Sequence, residues 1–509
     1  FRIDTETRVD LSLYHYRTDD VPDYSIPYSR NADNTSAEGP PVNVDRNNFY
    51  GLLNRDFEKT GSDIASVSVE HAIGSRLTLR NATRFGETFN EYIVTNPDDS
   101  RANVANGFVL RNTKSRNSET TTTANVTEVF GELRTGEMTH SFAAGIEVSD
   151  EEMFNRNYNV EILFGSNANS DPANSCSAPG AVGAASNYNC TTLDNPNPND
   201  PWTGSIAPSD SATRAQTDTL SVYAFDTIGF NDTWSLNLGL RYDDYSTTQI
   251  SGAPASLTRL ENETDFWNYQ VGVVYKPAAN GSVYLSTGTS SNPSGNTLGD
   301  GTENISSGNA DLEPERNTTY EFGTKWALAG DALSLSAAIF DTTKENARVS
   351  IEPGRGARQE TIGEQRISGL EFGLNGAVTD SVNMLFSYTY LDSEITDDGP
   401  VSDDDGNVFP NTPEHSASLW TTFTPNQRFT IGGGATYVDL RYGNTANTVW
   451  APSYVSYDAM ASLDLNERTR LQLNVLNLTD EVYFTRPYTS HYAAIGQGRS
   501  AMLSVDLSF

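Results

Sequence analysis

Two kinds of connection take turns along this chain, and their regular alternation limits its possible folds more than any other feature. One kind is a tight turn rich in Gly, Asn, Asp and Ser, the residues that form β-hairpin turns. These turns lie at 72–75, 134–137, 231–232, 279–281, 329–331, 379–381, 425–427 and 466–467. The other kind is long and polar, at 17–48, 93–115, 153–212, 247–262, 290–315, 396–411 and 479–496. Outer-membrane barrels segregate short turns to one rim and long loops to the other, whereas a soluble sandwich has no reason to do so.

The segments between these connections alternate with a period of two. Every second residue is apolar or aromatic in 234–242, in 471–475 and in 501–509. Such a strand can place one face against lipid and the other against water or polar groups. No run approaches about eighteen consecutive apolar residues, so no transmembrane helix is predicted. The sequence therefore predicts an all-β fold, a transmembrane antiparallel β-barrel with about eighteen strands in this chain.

The net charge of −34 narrows the range of partners. It argues against nucleic acid, which requires a basic surface. It argues only weakly against an anionic ligand. Salt screens exposed charges beyond about 8 Å, so the sign of the charge at the binding surface decides whether an anion can bind. The charge therefore excludes nucleic-acid binding but leaves open a local anion site.

The chain has two cysteines, Cys176 and Cys190, which lie in one polar segment. A single close pair in a long chain suits an oxidising compartment. We expect these two residues to form a disulfide.

No catalytic or metal centre is predicted. The five histidines are scattered, at His15, His71, His140, His415 and His491, and none has the spacing of a metal site or a catalytic triad. The acidic run 403–405 lacks the spaced ligands and closing Glu of an EF-hand, so solvated loop charge is the better interpretation. We expect neither an enzyme nor a bound metal.

Several motifs resemble one known family. The segment 309–315, followed by Tyr320-Glu321-Phe322-Gly323, is similar to the Leu-x-Pro-Glu…Tyr-Glu-x-Gly signature of TonB-dependent receptors. Further similar segments are 363–373, 411–416, 474–480 and the terminal strand 498–509. The resemblance implies an outer-membrane location and no covalently bound cofactor.

Other stretches resemble the catecholate siderophore receptors within that family. They are 19–28, 48–51, 55–56, 443–448 and 452–454. The resemblance implies that the transported ligand is a ferric siderophore and that TonB supplies the energy. It also implies contact with outer-membrane lipid and lipopolysaccharide, and a monomer.

One departure from the family pattern affects the domain assignment. Receptors of this family carry an N-terminal plug domain, a short box that engages TonB, and a barrel of about 22 strands. Neither plug nor box is recognised here, and the first match falls inside the barrel. We therefore expect residues 1–509 to be one β-barrel domain that is N-terminally incomplete, although eighteen strands could in principle close by themselves.

The candidate ligand residues are aromatic and basic residues of the long loops. A ferric tris-catecholate is anionic with planar rings, so stacking faces and guanidinium groups suit it. The candidates are Tyr24, Tyr28, Lys344, Arg348, Arg355, Arg358, Arg441, Tyr442, Trp450 and Arg486. The alternative is that the loop arginines are solvated or paired with acids, and that the aromatics belong to the interfacial girdle.

Three functions remain open at the level of sequence. The motifs and the long 153–212 segment favour an energy-coupled receptor for ferric catecholate siderophores. A passive, substrate-specific porin of eighteen strands is the alternative. A surface adhesin without a plug is the third.

Overall fold

A computed structural model describes residues 4, 6–30, 37–161, 176, 189–295, 305–352 and 358–508. Within these residues the secondary structure consists of β-strands and one short 3-10 segment at Ser100–Ala102. No helix among them is long and apolar enough to cross a membrane.

Eighteen of the described strands, between 8 and 28 residues long, form the wall of the molecule. They are β1 (Thr7–Asp20), β5 (Phe57–Ile73), β6 (Leu77–Asp98), β7 (Phe108–Thr135), β8 (Met138–Val160), β10 (Ile206–Gly229), β11 (Trp234–Gly252), β12 (Thr258–Ala278), β13 (Gly281–Asn292), β14 (Glu315–Leu328), β15 (Leu333–Ser350), β16 (Gln359–Thr379), β17 (Val382–Asp397), β18 (His415–Asn426), β19 (Phe429–Val438), β22 (Tyr454–Asn466), β23 (Thr469–Leu476) and β26 (Ser500–Leu507).

Eight shorter strands lie in the long loops. They are β2 (Ile26–Pro27), β3 (Ser29–Arg30), β4 (Ala37–Glu38), β9 (Cys190–Thr192), β20 (Arg441–Tyr442), β21 (Trp450–Ala451), β24 (Phe484–Pro487) and β25 (Tyr492–Ile495).

The wall is an antiparallel meander. Each wall strand pairs with the next wall strand in the chain, from β1 with β5 through to β23 with β26. Tight turns therefore gather at one rim and long loops at the other. Gly74, Gly136 and Gly330 occupy three of the tight turns with φ between 65° and 69°, a left-handed conformation that glycine adopts without strain.

The long loops show that the sheet curls round on itself. β2 lies in the connection after the first wall strand, and β25 lies in the connection before the last. These two segments pair directly, with Ile26 opposite Ala493. Arg46 and Asp480, from the same two connections, also form an ion pair at 3.3 Å. The two ends of the meander are therefore brought together at the long-loop rim.

The two faces of the wall differ in chemistry. On β8 and β10, Ile146 lies opposite Val222 and Val148 opposite Leu220, and all four are between 44% and 52% exposed. This is the face that meets lipid, because an apolar band faces outward in a membrane barrel.

The opposite face of the same strands is polar and hydrogen-bonded. The Tyr223 hydroxyl donates to the Glu128 carboxylate at 2.6 Å. Arg241 binds Asp243 at 2.8 Å and Glu147 at 3.2 Å. We assign this face to the lumen.

The predicted fold class is confirmed, and the wall has the predicted eighteen strands among the described residues. Two predicted loops were too long. β6 and β7 leave only 99–107 between them, and β11 and β12 leave only 253–257. The physical reason is that wall strands continue beyond the membrane, where water on both faces permits strands without apolar residues.

The long loops contain apolar cores of their own. Two clusters of buried side chains lie beneath the short strands, one around Tyr28 and Val449 and the other around Ile26, Tyr50 and Val109. A third contains both cysteines and Leu110. The loops are thus a packed layer over the long-loop rim.

The predicted disulfide is confirmed: Cys176 and Cys190 are bonded. Cys190 belongs to β9, which pairs with β7, so the bond ties the loop after β8 to the wall.

Opposite faces of one strand should respond differently to a charge. Val271 faces lipid and is 38% exposed, whereas its neighbour Gln270 faces the lumen. We expect Val271→Arg to lower the free energy of unfolding by about 2–4 kcal/mol and Gln270→Arg to change it little. Urea titration of the barrel refolded in phospholipid measures both. Equal losses would contradict the assignment of the two faces.

Removal of the disulfide should loosen its loop and leave the wall intact. Closing a loop of this size stabilises by about 3 kcal/mol. In Cys176→Ser/Cys190→Ser we expect faster amide hydrogen exchange across 189–205, with unchanged exchange in β10 and β11. Unchanged exchange in the loop would show that β9 pairing alone orders it.

Candidate functional site

The hairpin of β24 and β25 is the centre of the loop layer, and contacts from other loops fix it in place. β25 pairs with β2, and the Tyr28 amide donates to the His491 carbonyl at 2.8 Å. The Arg441 guanidinium donates to the Thr485 carbonyl at 2.6 Å. Asn411 donates to the Pro487 carbonyl at 3.3 Å. The hairpin is therefore held by three different connections of the wall.

Aromatic rings stack along this hairpin. The Tyr24 and Tyr492 rings have centroids 4.8 Å apart, and those of Tyr488 and Tyr492 are 4.4 Å apart. The Arg486 guanidinium lies 4.9 Å from the Tyr488 ring centroid. The row thus ends in an exposed cation stacked on an aromatic face. This arrangement offers an anionic ligand both a positive charge and an aromatic surface.

A polar pocket of about 560 Å³ adjoins Tyr24. Its wall includes Tyr92, Lys114 and Arg116, and the Arg116 guanidinium lies 5.9 Å from the Tyr92 ring centroid. We use the name tyrosine cluster for Tyr24, Tyr92, Tyr488 and Tyr492. Cations therefore flank the cluster at both ends.

The hydroxyls of Tyr24 and Tyr492 remain protonated at neutral pH. Burial, together with the neighbouring Tyr92 hydroxyl, raises the pKa of Tyr24. Burial and the neighbouring tyrosines raise the pKa of Tyr492 as well. Neutral phenols do not repel an anion, and their hydroxyls can donate hydrogen bonds to it.

His491 joins the hairpin to the loop between β6 and β7. Its Nδ1 lies 3.3 Å from an Asp98 carboxylate oxygen and 3.4 Å from one of Asp99, and both carboxylates are buried. Burial alone would lower the pKa of His491, but the two carboxylates outweigh it and raise the pKa to about 9. These three side chains are also close enough together to hold a metal ion; with the carboxylates alone, the raised pKa leaves the imidazole positively charged at neutral pH. The arrangement is therefore an ion pair that fixes the hairpin.

Two of the sequence-predicted ligand residues, Tyr24 and Arg486, lie at the tyrosine cluster. Tyr28 comes from the same segment as Tyr24 but is fully buried in the apolar core beneath the hairpin. Burial raises the pKa of Tyr28. Its position makes it a support for the hairpin.

Three further candidates lie in the hairpin of β20 and β21 next to the cluster. Tyr442 pairs with Trp450 across this hairpin, and both are half-buried. Arg441 is 9% exposed, and burial lowers its pKa. Gly443 follows directly, and a Cβ there would overlap the Tyr488 carbonyl oxygen, so this glycine permits the close approach of the two hairpins.

The basic candidates of the 344–358 segment have partners elsewhere. Lys344 Nζ lies 3.5 Å from the Glu315 carboxylate, and Arg348 donates to the Asn292 carbonyl at 2.8 Å. Arg358 pairs with its neighbour Glu360 at 2.6 Å. Arg355 lies outside the described residues. These contacts join the described members of the set to β13, β14 and β16, so the structure does not bring Lys344, Arg348 and Arg358 together with Tyr24 and Arg486.

Sequence reasoning missed most of the cluster. Tyr92, Lys114 and Arg116 lie on wall strands β6 and β7, while Tyr488 and Tyr492 lie in the 479–496 loop. The dense aromatic content of that loop, with His491 between the two tyrosines, was the available signal. Nothing local indicated that β6 and β7 would contribute.

Comparison with known proteins agrees with this architecture. Residues 1–478 match the family described as TonB dependent receptor-like, beta-barrel. The chain is 38% identical to a probable TonB-dependent siderophore receptor, PiuA, of Acinetobacter baumannii, and the match covers 100% of the chain and 69% of that receptor. It is 26% identical to the catecholate siderophore receptor Fiu of Escherichia coli K12, over 100% of the chain and 68% of Fiu.

Solved structures give the same result. The crystal structure of the siderophore receptor PiuA from A. baumannii superposes with a TM-score of 0.92 at 37% identity, covering 99% of this chain and 72% of that one. The closed form of the ferric-catecholate import receptor Fiu from E. coli K12 gives a TM-score of 0.82 at 24% identity, over 99% and 73%; this second likeness concerns the fold.

The chain is therefore a β-barrel of the TonB-dependent receptor family. Members of this family are receptors and transporters rather than enzymes, and their barrels lie in the bacterial outer membrane. This chain is an outer-membrane protein of that kind.

The charge on His491 should control the order of the β24–β25 hairpin. Its folded pKa of about 9 exceeds the ordinary value of about 6.5. The stabilisation is therefore fully present below about pH 6.5 and is lost as the pH rises through about 9. In His491→Gln we expect the local free energy of opening to fall by on the order of 2 kcal/mol at pH 7.

Two measurements check this. Ring-carbon NMR should show one of the five histidines titrating near pH 9, and that signal should be absent in His491→Gln. Subtilisin should cleave the wild-type hairpin faster as the pH rises from 7 to 10, relative to an unstructured peptide of the same sequence, while the variant shows no such change. A normal pKa for His491 would contradict the ion pair.

Proposed function

We propose that this protein imports ferric catecholate siderophores across the outer membrane, energised by TonB. The tyrosine cluster with its flanking cations is the single observation that carries the proposal. A ferric tris-catecholate presents flat aromatic rings and a net negative charge. The stacked phenol rings suit the aromatic rings of the ligand, and Arg486, Lys114 and Arg116 suit its negative charge.

The position of the cluster supports the same function. It lies in the loop layer at the rim where a ligand arrives from outside. Net charge −34 would repel an anion at long range, but salt screens that field within about 8 Å. Local cations at the hairpin then decide binding. The catecholate specificity of Fiu and the siderophore specificity of PiuA belong to those relatives and agree with the chemistry proposed for this chain.

Further expectations accompany this proposal. Residues 1–509 act as one barrel domain. The receptor works as a monomer surrounded by outer-membrane lipid and lipopolysaccharide. The 344–358 arginines form a second contact for the ligand.

Replacing the cation and ring at the end of the stack should weaken ligand binding. We expect Arg486→Gln/Tyr488→Leu to bind the ferric tris-catecholate of 2,3-dihydroxybenzoate about ten-fold more weakly, because one charge and one stacking face are lost. Quenching of protein fluorescence in the purified receptor measures the Kd. Arg428→Gln, at a tight turn on the opposite rim, is the matched control.

The contrast between ligands tests the specificity. The ferric complex of desferrioxamine B, a hydroxamate complex that is not anionic, should bind weakly to all three proteins. Uptake of radioactive iron by iron-starved cells should require the receptor and should stop when TonB is deleted.

Unchanged affinity in the double variant, together with a loss in Arg348→Gln/Arg355→Gln/Arg358→Gln, would move the ligand site to the 344–358 segment. Uptake that persists without TonB would favour a passive pore.

A further inference from the structure

Two arginines share one aromatic ring on the outer surface of the wall. The Arg156 guanidinium lies 5.4 Å from the Phe154 ring centroid, and the Arg214 guanidinium lies 5.2 Å from it. Arg214 on β10 stands directly opposite Phe154 on β8. Arg156 follows Phe154 by two residues and therefore shares its face. These three residues form one patch, named here the outer arginine patch.

The patch faces outward, above the apolar band. The ladder between β8 and β10 runs without a shift from Ile146 to Arg156, so Phe154 and Arg156 lie on the same face as Val148. Phe154 is six residues beyond Val148 towards the long-loop rim. At about 3.3 Å per residue and a tilt of about 45°, it lies roughly 14 Å above the band. This is the level of the polar head groups and inner sugars of the outer leaflet.

Neither arginine of the patch is paired with an acid. Among the described residues, other arginines of the wall have carboxylate partners: Arg259 binds Glu261 at 2.6 Å and Arg366 binds Asp341 at 2.6 Å. No carboxylate of the described residues lies within 4.0 Å of a guanidinium nitrogen of Arg156 or Arg214. The Arg156 Nε is shielded from solvent and has no acceptor.

The surroundings of the patch carry both signs of charge. A groove of about 440 Å³ runs beside Phe154, and its lining includes Arg214 and Arg259 together with the carboxylates of Glu119 and Glu152. Glu119 stands opposite Phe154 on β7, which is the side away from Arg214. The arginines of the groove thus stand on β10 and β12 and its carboxylates on β7 and β8, and neither carboxylate lies within 4.0 Å of a guanidinium nitrogen of Arg156 or Arg214.

We propose that the outer arginine patch binds a phosphate group of lipopolysaccharide in the outer leaflet. A guanidinium presents a planar pair of donors that matches phosphate oxygens, and two of them held on one ring are arranged in advance for it. Phosphate supplies a close anionic partner, which no carboxylate of the described residues provides within 4.0 Å. The proposal rests on the outer-membrane location of the barrel and is independent of the siderophore that the receptor imports.

The test measures lipopolysaccharide binding to the purified receptor in detergent. The titrants are intact lipopolysaccharide, the same material dephosphorylated with hydrofluoric acid, and phosphatidylglycerol. We expect wild type to prefer the intact form, and Arg156→Gln/Arg214→Gln to bind it about ten-fold more weakly. The variant and wild type should bind the dephosphorylated form equally.

Control variants separate local from general effects. Arg366→Gln removes an outward arginine that already has a carboxylate partner, and should leave affinity unchanged. Phe154→Leu keeps both charges but removes the ring, and should weaken binding of the intact form. If the double variant fails to fold, exposed Arg214→Gln alone carries the test.

Several results would overturn the proposal. They are equal affinity of wild type and the arginine variant for the intact form, equal affinity of wild type for intact and dephosphorylated forms, equal binding of phosphatidylglycerol, or an equal loss in Arg366→Gln. No siderophore is present in this assay, so its failure leaves the import function untouched.

Discussion

Backbone hydrogen bonding in lipid is the constraint on which the rest of this structure depends. The hydrocarbon region offers no water to an amide or carbonyl, so each must find a partner within the protein. The meander meets this condition for the strands between β1 and β26, because each of them pairs with both of its neighbours in the wall, as β6 does with β5 and β7. Once that pairing is fixed, side chains must alternate between lipid and lumen. The sorting of Val222 outward and Tyr223 inward follows directly.

The loop layer obeys a different rule, because water is available there and apolar burial is needed to order it. The clusters around Tyr28 and Tyr50 supply this burial, and the β24–β25 hairpin rests upon them. Its stacked rings keep their positions through backbone bonds to Arg441 and through the ion pair of His491. The exposed surface of the hairpin is therefore only as ordered as the supports beneath it. Tyr28 holds the hairpin through apolar packing and Arg441 through hydrogen bonds to its backbone.

The wall could be predicted from the sequence because its signals are local. Alternation and turn residues act over a few neighbours, and the strand count and tight turns came out correctly. The extension of strands such as β6 and β7 above the membrane could not be predicted. Both faces of a strand meet water there, so no alternation of apolar and polar residues marks it in the sequence. The candidate site was only partly predictable. Tyr24 and Arg486 were proposed from their loops, but their meeting with Tyr92 and Arg116 is a long-range consequence of curling the sheet. The burial of Tyr28 likewise depends on Val449 and Ala493, more than 400 residues away.

Charge pairing shows where this acidic chain can accept an anion. With 67 acidic and 33 basic residues, an arginine has carboxylates available: Arg17 and Arg470 each bind one, and Arg241 binds two. Arg486, Arg156 and Arg214 lie over aromatic rings, as Arg17 and Arg241 also do, but no carboxylate of the described residues stands within 4.0 Å of these three. A ring face holds a guanidinium through its quadrupole without neutralising it. The net positive charge therefore stays available to a ligand at these places, one in the loop layer and one on the lipid-facing wall. The chain can be strongly acidic overall and still bind anions, because binding depends on which cations are left unneutralised.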